Sequence, residues 1–84
     1  MKYRCPCCGY YTFSEKPNGS YAICPVCFWE DDPISLARPD YTGGANGISL
    51  DQARDNYNHY GACTISMKKF VRTPNEDELS GVDW

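Results

Sequence analysis

The sequence predicts a small α+β domain in which a β-hairpin joins two cysteine knuckles and one or two short helices pack against it. Three observations carry that expectation. The chain has 84 residues, enough for one domain with a marginal core. Its 42% hydrophobic content includes 7 tyrosines and 6 cysteines, so the aliphatic core is thin. Four of the cysteines form two matching pairs, Cys5-Pro6-Cys7-Cys8 and Cys24-Pro25-Val26-Cys27, with fifteen residues between Cys8 and Cys24. A chain this small commonly needs a disulfide, a metal or oligomerisation for stability.

The knuckles come first. Proline after the leading cysteine fixes φ and needs no donor, which suits a tight turn. Gly9, directly after Cys8, can take the positive φ with which the chain leaves the knuckle. The C-x2-C-x15-C-x2-C layout falls within the spacing of four-cysteine zinc sites. Cys5, Cys8, Cys24 and Cys27 are therefore the candidate ligands of one tetrahedral ion with sulfur at about 2.3 Å. Zn²⁺ is the expected occupant and iron the alternative, because the knuckles resemble those of rubredoxin across a shorter intervening loop. Two disulfides would require an oxidising compartment. A redox pair at a helix start needs a βαβ pattern, and the sequence has none. Cys7 reads as a free thiol inside the first knuckle, with exchange of register with Cys8 open. Cys63 reads as a small buried hydrophobe.

Between the knuckles, Tyr10–Phe13 and Ser20–Ile23 are rich in strand formers, and Pro17-Asn18-Gly19 supplies a turn. The expected hairpin pairs these two stretches, with the metal at its open end. Its aromatics beside Lys2, Arg4 and Lys16 could stack bases, but packing of the core is the plainer expectation.

After the second knuckle, Phe28-Trp29 runs into Glu30, Asp31 and Asp32 before Pro33. The acids read as solvated. Trp29 is expected to cover the metal site or a neighbouring groove, and Trp29, Glu30, Asp31 and Asp32 form the candidate partner surface. Residues 38–48 form a loop whose Gly43-Gly44-Ala45-Asn46-Gly47 lacks the ending of a phosphate-binding loop. The clearest helix runs from Leu50 to Tyr60. Ser49 is its N-cap, Gln52 completes a capping box and Gly61 stops it. Leu50, Ala53, Tyr57 and Tyr60 share a stripe that should face the hairpin and knuckles, and His59 lies opposite. Ser66–Arg72 leans to helix and Pro74 ends it. The expected organisation is residues 1–40 for knuckles and hairpin, 41–74 for the loop and helical part, and 75–84 for an acidic tail in which Leu79 or Trp84 could dock.

Charge narrows the partners. The net charge is −3, with the positive excess confined to residues 1–24. One divalent ion on four thiolates would take the folded chain to about −5. Nucleic acid is thus disfavoured, since phosphate affinity depends on cationic surface. No apolar run reaches the roughly 18 residues of a membrane span, and the first residues lack the apolar stretch of an export signal. The expected setting is the cytoplasm and the expected partner is another protein. A nucleophile–base pair is missing, and four thiolates leave no position for water on the ion, so an enzyme is not expected.

Taken together, the residues resemble the bacterial cysteine-rich CPCC family. The matching stretches are Cys5-Pro6-Cys7-Cys8-Gly9-Tyr10 and Ile23-Cys24-Pro25-Val26-Cys27-Phe28-Trp29-Glu30-Asp31-Asp32. They continue through Gly44-Ala45-Asn46, Ser49-Leu50, Ala53-Arg54, Asn56-Tyr57, Gly61-Ala62, Val71-Arg72 and Pro74. The resemblance spans nearly the whole chain. It implies a metal-binding, zinc-ribbon-like protein and carries no reaction or substrate with it.

Overall fold

Cysteine knuckles are reverse turns, and each brings its own flanking residues face to face. That local fact decides the sheet. The computed structural model describes residues 3–17 and 19–79. Strand β1 (Tyr3–Arg4) pairs antiparallel with β2 (Tyr11–Phe13) across the first knuckle, Tyr3 opposite Phe13 and Arg4 opposite Tyr11. The second knuckle repeats the arrangement. Cys24 N–H donates to the Trp29 carbonyl at 2.9 Å, Ile23 and Glu30 form an isolated bridge, and Asp31 N–H donates to Ala22 O at 2.9 Å.

The hairpin expected between Tyr10–Phe13 and Ser20–Ile23 does not form. Each stretch pairs instead across the knuckle it adjoins, where the backbone hydrogen bonds of the knuckle turn have already brought the two sides together. Gly19 has a different task from the hairpin turn assigned to it. At φ 91° it carries the chain past Pro33, and a Cβ there would meet Pro33 Cγ at 2.9 Å. Asn18 lies outside the described residues.

Helix α1 (Pro33–Ala37) follows the acidic run, which is not the solvated turn expected of it. Asp32 is its N-cap, accepting from Ile34 N–H at 2.9 Å, and Pro33 sits in the first turn, where a missing N–H costs nothing. The other oxygen, Oδ2, accepts from Ala45 N–H at 2.6 Å. One carboxylate thereby joins α1 to the glycine-rich loop, and these bonds hold it below the ordinary carboxylate range. Gly44 is the residue that lets the loop come so close. A Cβ there would collide with the Asp32 carboxylate and stand 2.6 Å from Ser35 Oγ. Gly44→Ala is therefore expected to lower the urea midpoint by an equivalent of about 1–3 kcal/mol through overpacking. Gly47→Ala, with φ 74° and open space around it, should show only the left-handed backbone penalty of about 1–2 kcal/mol.

Helix α2 (Leu50–Tyr60) forms at the expected bounds. Ser49 Oγ accepts from Gln52 N–H at 3.0 Å, and Gly61 closes the last turn at φ 78°. The capping box is only half made. The Gln52 side chain donates along the helix to Asn56 Oδ1 at 2.9 Å rather than reaching back to the cap. Of the stripe, Leu50 and Ala53 are fully buried, Tyr57 is half-buried against the edge of Tyr10, and Tyr60 is exposed.

The stretch expected as a helix near residues 66–72 is a 3₁₀ helix over Ile65–Phe70. Beyond it, α3 (Glu76–Leu79) folds back against β2, so this part of the acidic stretch is packed rather than a free tail. Glu78 is buried and takes a bidentate pair from Arg72 at 2.8 and 2.9 Å, while also accepting from Asn75 N–H at 2.8 Å. Leu79 stays exposed, and Trp84 lies outside the described residues.

The result is a small α+β arrangement of two short antiparallel strands and short helices around a sulfur-rich core. Phe13, Val26, Trp29, Leu50 and Ala53 pack there with Cys5, Cys24, Cys27 and Cys63. No helix among the described residues is long and apolar enough to cross a membrane.

Candidate metal centre

The two knuckles superimpose in their bonding. In the first, Gly9 N–H donates to Cys5 O at 2.9 Å and Cys5 N–H to Tyr10 O at 2.8 Å. In the second, Phe28 N–H donates to Cys24 O at 2.8 Å and Cys24 N–H to Trp29 O at 2.9 Å. The residue after each second cysteine has positive φ, 81° at Gly9 and 69° at Phe28. Glycine suits that conformation and phenylalanine does not, so the second knuckle is strained at a residue carrying a large apolar ring.

These turns bring Cys5, Cys8, Cys24 and Cys27 together, with all four Sγ atoms within 4.8 Å of one another. Cys5 Sγ lies 3.6 Å from Cys27 Sγ, and Cys8 Sγ lies 3.7 Å from Cys24 Sγ. A tetrahedron with sulfur at about 2.3 Å from its centre has edges of about 3.8 Å, which these contacts match. A disulfide would need about 2.05 Å, and all six cysteines are free. The donor set therefore fits a thiophilic tetrahedral ion.

The electrostatics point the same way. Burial is the main cause that pushes the Cys5 thiol up. Cys27 is pushed up by its sulfur neighbours, Cys24 first and then Cys5. Cys24 is driven down, because Cys27 and Cys5 donate to it and Thr12 adds a hydroxyl. Four thiolates cannot coexist there without a cation, whereas a divalent ion takes the place of the shared protons. Thr12 Oγ1 lies 3.1 Å from Cys24 Sγ, a buried hydroxyl that orients and partly neutralises the sulfur. Sequence reasoning missed Thr12. The signal available was its place on the strand leaving the first knuckle, between two aromatic core residues.

Cys7 and Cys63 are buried outside the group of four. Burial pushes the Cys63 thiol up to about 11, in keeping with a small apolar filler, and its backbone N–H donates to Cys27 O at 2.8 Å. His59 is exposed on α2, its Nδ1 2.8 Å from Asp55 O, and is not among the residues brought to the sulfur cluster.

The candidate partner surface needs correction. Trp29 and Asp31 are 1% and 0% exposed, Asp32 is buried as the cap described above, and only Glu30 is partly accessible. Trp29 is a core residue beside the cysteines. One oxygen of Asp31 accepts from Gly19 N–H at 3.0 Å, Ser20 N–H at 2.9 Å and Ser20 Oγ–H at 2.9 Å, tying the stretch between the knuckles to the second one. Asn46 brackets the Glu30 backbone, accepting from its N–H at 2.8 Å and donating to its carbonyl at 2.9 Å. These polar residues build the scaffold around the sulfur site. They face inward because their donors come from segments distant in sequence.

The family model described as Cysteine-rich CPCC matches residues 3–78, a span that contains both knuckles and α2. A search of curated proteins returns no match.

Proposed function

We propose that this chain, which belongs to the cysteine-rich CPCC family, is a zinc-ribbon-like module whose structural Zn²⁺ holds it in shape to recognise another protein. The observation that carries the reading is the convergence of four Sγ atoms within 4.8 Å. With four thiolates on the ion, no position is left for a substrate or an activated water, the pattern of a structural rather than a catalytic zinc. All six cysteines are unbridged, which supports a reducing, cytoplasmic setting.

The recognition face we assign lies around Phe28 rather than Trp29. Phe28 stacks on Phe70 with ring centroids 5.3 Å apart. Phe70, Ile23 and Ile65 are 56%, 47% and 65% exposed, an apolar group on the 3₁₀ helix and the second knuckle. Lys68 and Lys69 flank it, with Lys69 Nζ 5.2 Å from the Phe70 ring centre. A cationic margin around exposed rings suits a protein segment that presents apolar anchors among carboxylates. Strain kept at the partly buried ring that supports the exposed Phe70 also supports a functional role for Phe28.

Phe28→Gly tests this face. Relief of about 1–2 kcal/mol of left-handed strain offsets part of what is lost with the ring stack and with the ring's packing against the core. The variant is expected to keep its metal with a modestly lower melting temperature. In parallel captures it should lose the acidic partner that the wild type retains. Equal recovery by both proteins contradicts the assignment.

An iron tetrathiolate is the second reading, favoured by the matched knuckle bonding and the positive φ that follows each pair. A red protein with one iron per chain after expression in iron-replete medium decides for it; a colourless zinc protein decides against it.

A further inference from the structure

The first knuckle has an outer side. Between it, the Lys16–Pro17 bend, α1 and α2 lies an open concavity of about 490 Å³. That volume is in the range of small-molecule sites, roughly 300–1,000 Å³. Its apolar lining includes Pro6, Pro17 and Leu36, and its charged lining is Arg4, Lys16 and Arg54 with no carboxylate. Three cations converging on one concavity are unexpected in a chain of net charge −3.

Their existing partners leave that charge unspent. Arg4 donates to the Tyr11 hydroxyl at 2.8 Å and lies over the same ring, neither of which neutralises it. Arg54 Nε donates to the Pro6 carbonyl at 2.8 Å, which fixes the guanidinium at the edge of the knuckle. Its carboxylate neighbour, Asp51, is 3.7 Å away and both side chains are exposed, so the pair is weak. Lys16 has no ion pair among the described residues. Arg72, by contrast, is matched by both oxygens of Glu78. Two tethered guanidiniums and a free ammonium over an apolar floor are arranged for an anion with an apolar body.

We infer that this concavity is a binding site for a small organic carboxylate, its acid group on Arg4, Lys16 and Arg54 and its apolar part on Pro6, Pro17 and Leu36. The competing account is that the three cations serve as counterions to the thiolate cluster, since Cys5 and Cys8 also line the cavity. The two accounts separate experimentally, and neither depends on the protein-recognition face.

The test is titration of the zinc-loaded full chain, followed through backbone amide NMR shifts, with three probes: phenylacetate, inorganic phosphate and phenethylamine. Phenylacetate is expected to give saturable shifts at Gly9, Lys16 and Arg54, phosphate a weaker response at the same positions, and the amine none. Lys16→Gln should weaken phenylacetate binding about fivefold, the worth of one exposed ion pair of about 1 kcal/mol, with Lys16→Arg retaining it. Zinc retention against a competing chelator should be the same in all three proteins. The inference is overturned by an equal response to phenethylamine or by no saturable shift with phenylacetate. It is equally overturned by a Lys16→Gln variant that loses zinc faster while binding phenylacetate as the wild type does.

Discussion

Chelation of the metal at neutral pH is expected to unfold the chain, with loss of the α2 helical signal and of any cooperative melt. The reason lies in what remains when the sulfur cluster is released. The strands are two and three residues long, and a two-stranded pair of that size has no independent stability in water. Among the described residues the buried aliphatic side chains are few: Val26, Leu50, Ala53 and Ala62, beside the aromatic Tyr11, Phe13 and Trp29. Structural zinc contributes about 10–16 kcal/mol to small domains, against a total folding stability of about 5–15 kcal/mol. Removal of the ion therefore exceeds what the rest of the chain supplies. Replacement of one ligand, as in Cys24→Ser, should approach the same end state, while Cys7→Ser should remain folded. The pH dependence has a definite sign. The thiols of the unfolded chain hold their protons at neutral pH, and burial at Cys5 and the sulfur neighbours at Cys27 favour the protonated form further wherever the cluster closes without an ion, so protons must be released on binding. Affinity for the ion is accordingly expected to rise with pH and fall in acid, as read by competition with a chromophoric chelator. A chelated chain that keeps its helical spectrum and melts cooperatively contradicts this account.

Asp31→Ala is expected to be the most damaging substitution outside the metal ligands, with a loss on the order of 3–5 kcal/mol in the zinc-loaded protein. Asp31 is fully buried, and one of its oxygens takes three donors from Gly19 and Ser20. Bonds to a charged acceptor are worth about 1.5–3 kcal/mol each, though they do not add fully. Their removal takes the shared acceptor from the Gly19 and Ser20 N–H groups and frees the stretch that leads into Cys24. Urea unfolding at constant zinc measures the effect: the midpoint should fall sharply at an unchanged slope. Asp31→Asn, which keeps an acceptor oxygen and the shape, should recover part of the loss. The exposed Asp55→Ala should stay within about 0.5 kcal/mol of the wild type. Asp31→Ala with a midpoint like that of Asp55→Ala would show that the buried carboxylate does not hold the inter-knuckle stretch.

What could be read from the sequence was what depends on neighbours in the chain. The four sulfurs were legible because the C-P-x-C turn is a local device and appears twice. Helix α2 was legible because Ser49 and Gly61 carry their capping chemistry with them. The pairing of the strands was not legible, since three-residue strands have too little pattern to set a register, and the knuckles decided it. Nor was the fate of the acids. Asp31 and Asp32 look like surface charge until Gly19, Ser20 and Ala45 arrive with their N–H groups from 11 to 13 positions away. The Asp32-Pro33 pair does contain the start signal of α1, a cap followed by a first-turn proline, but three acids in a row equally have the pattern of solvated charge. Glu78 repeats the lesson at the other end, where Arg72 six positions earlier turns a charged tail into a packed turn.

Metal content under native conditions reads out the four-sulfur site itself. Native mass spectrometry of the wild type and of the six single Cys→Ser variants should find one zinc per chain in the wild type, Cys7→Ser and Cys63→Ser. It should find none in the variants of Cys5, Cys8, Cys24 or Cys27. Zinc retained in full by Cys24→Ser, or lost on replacing Cys7 alone, would contradict the four-sulfur site on which this account rests.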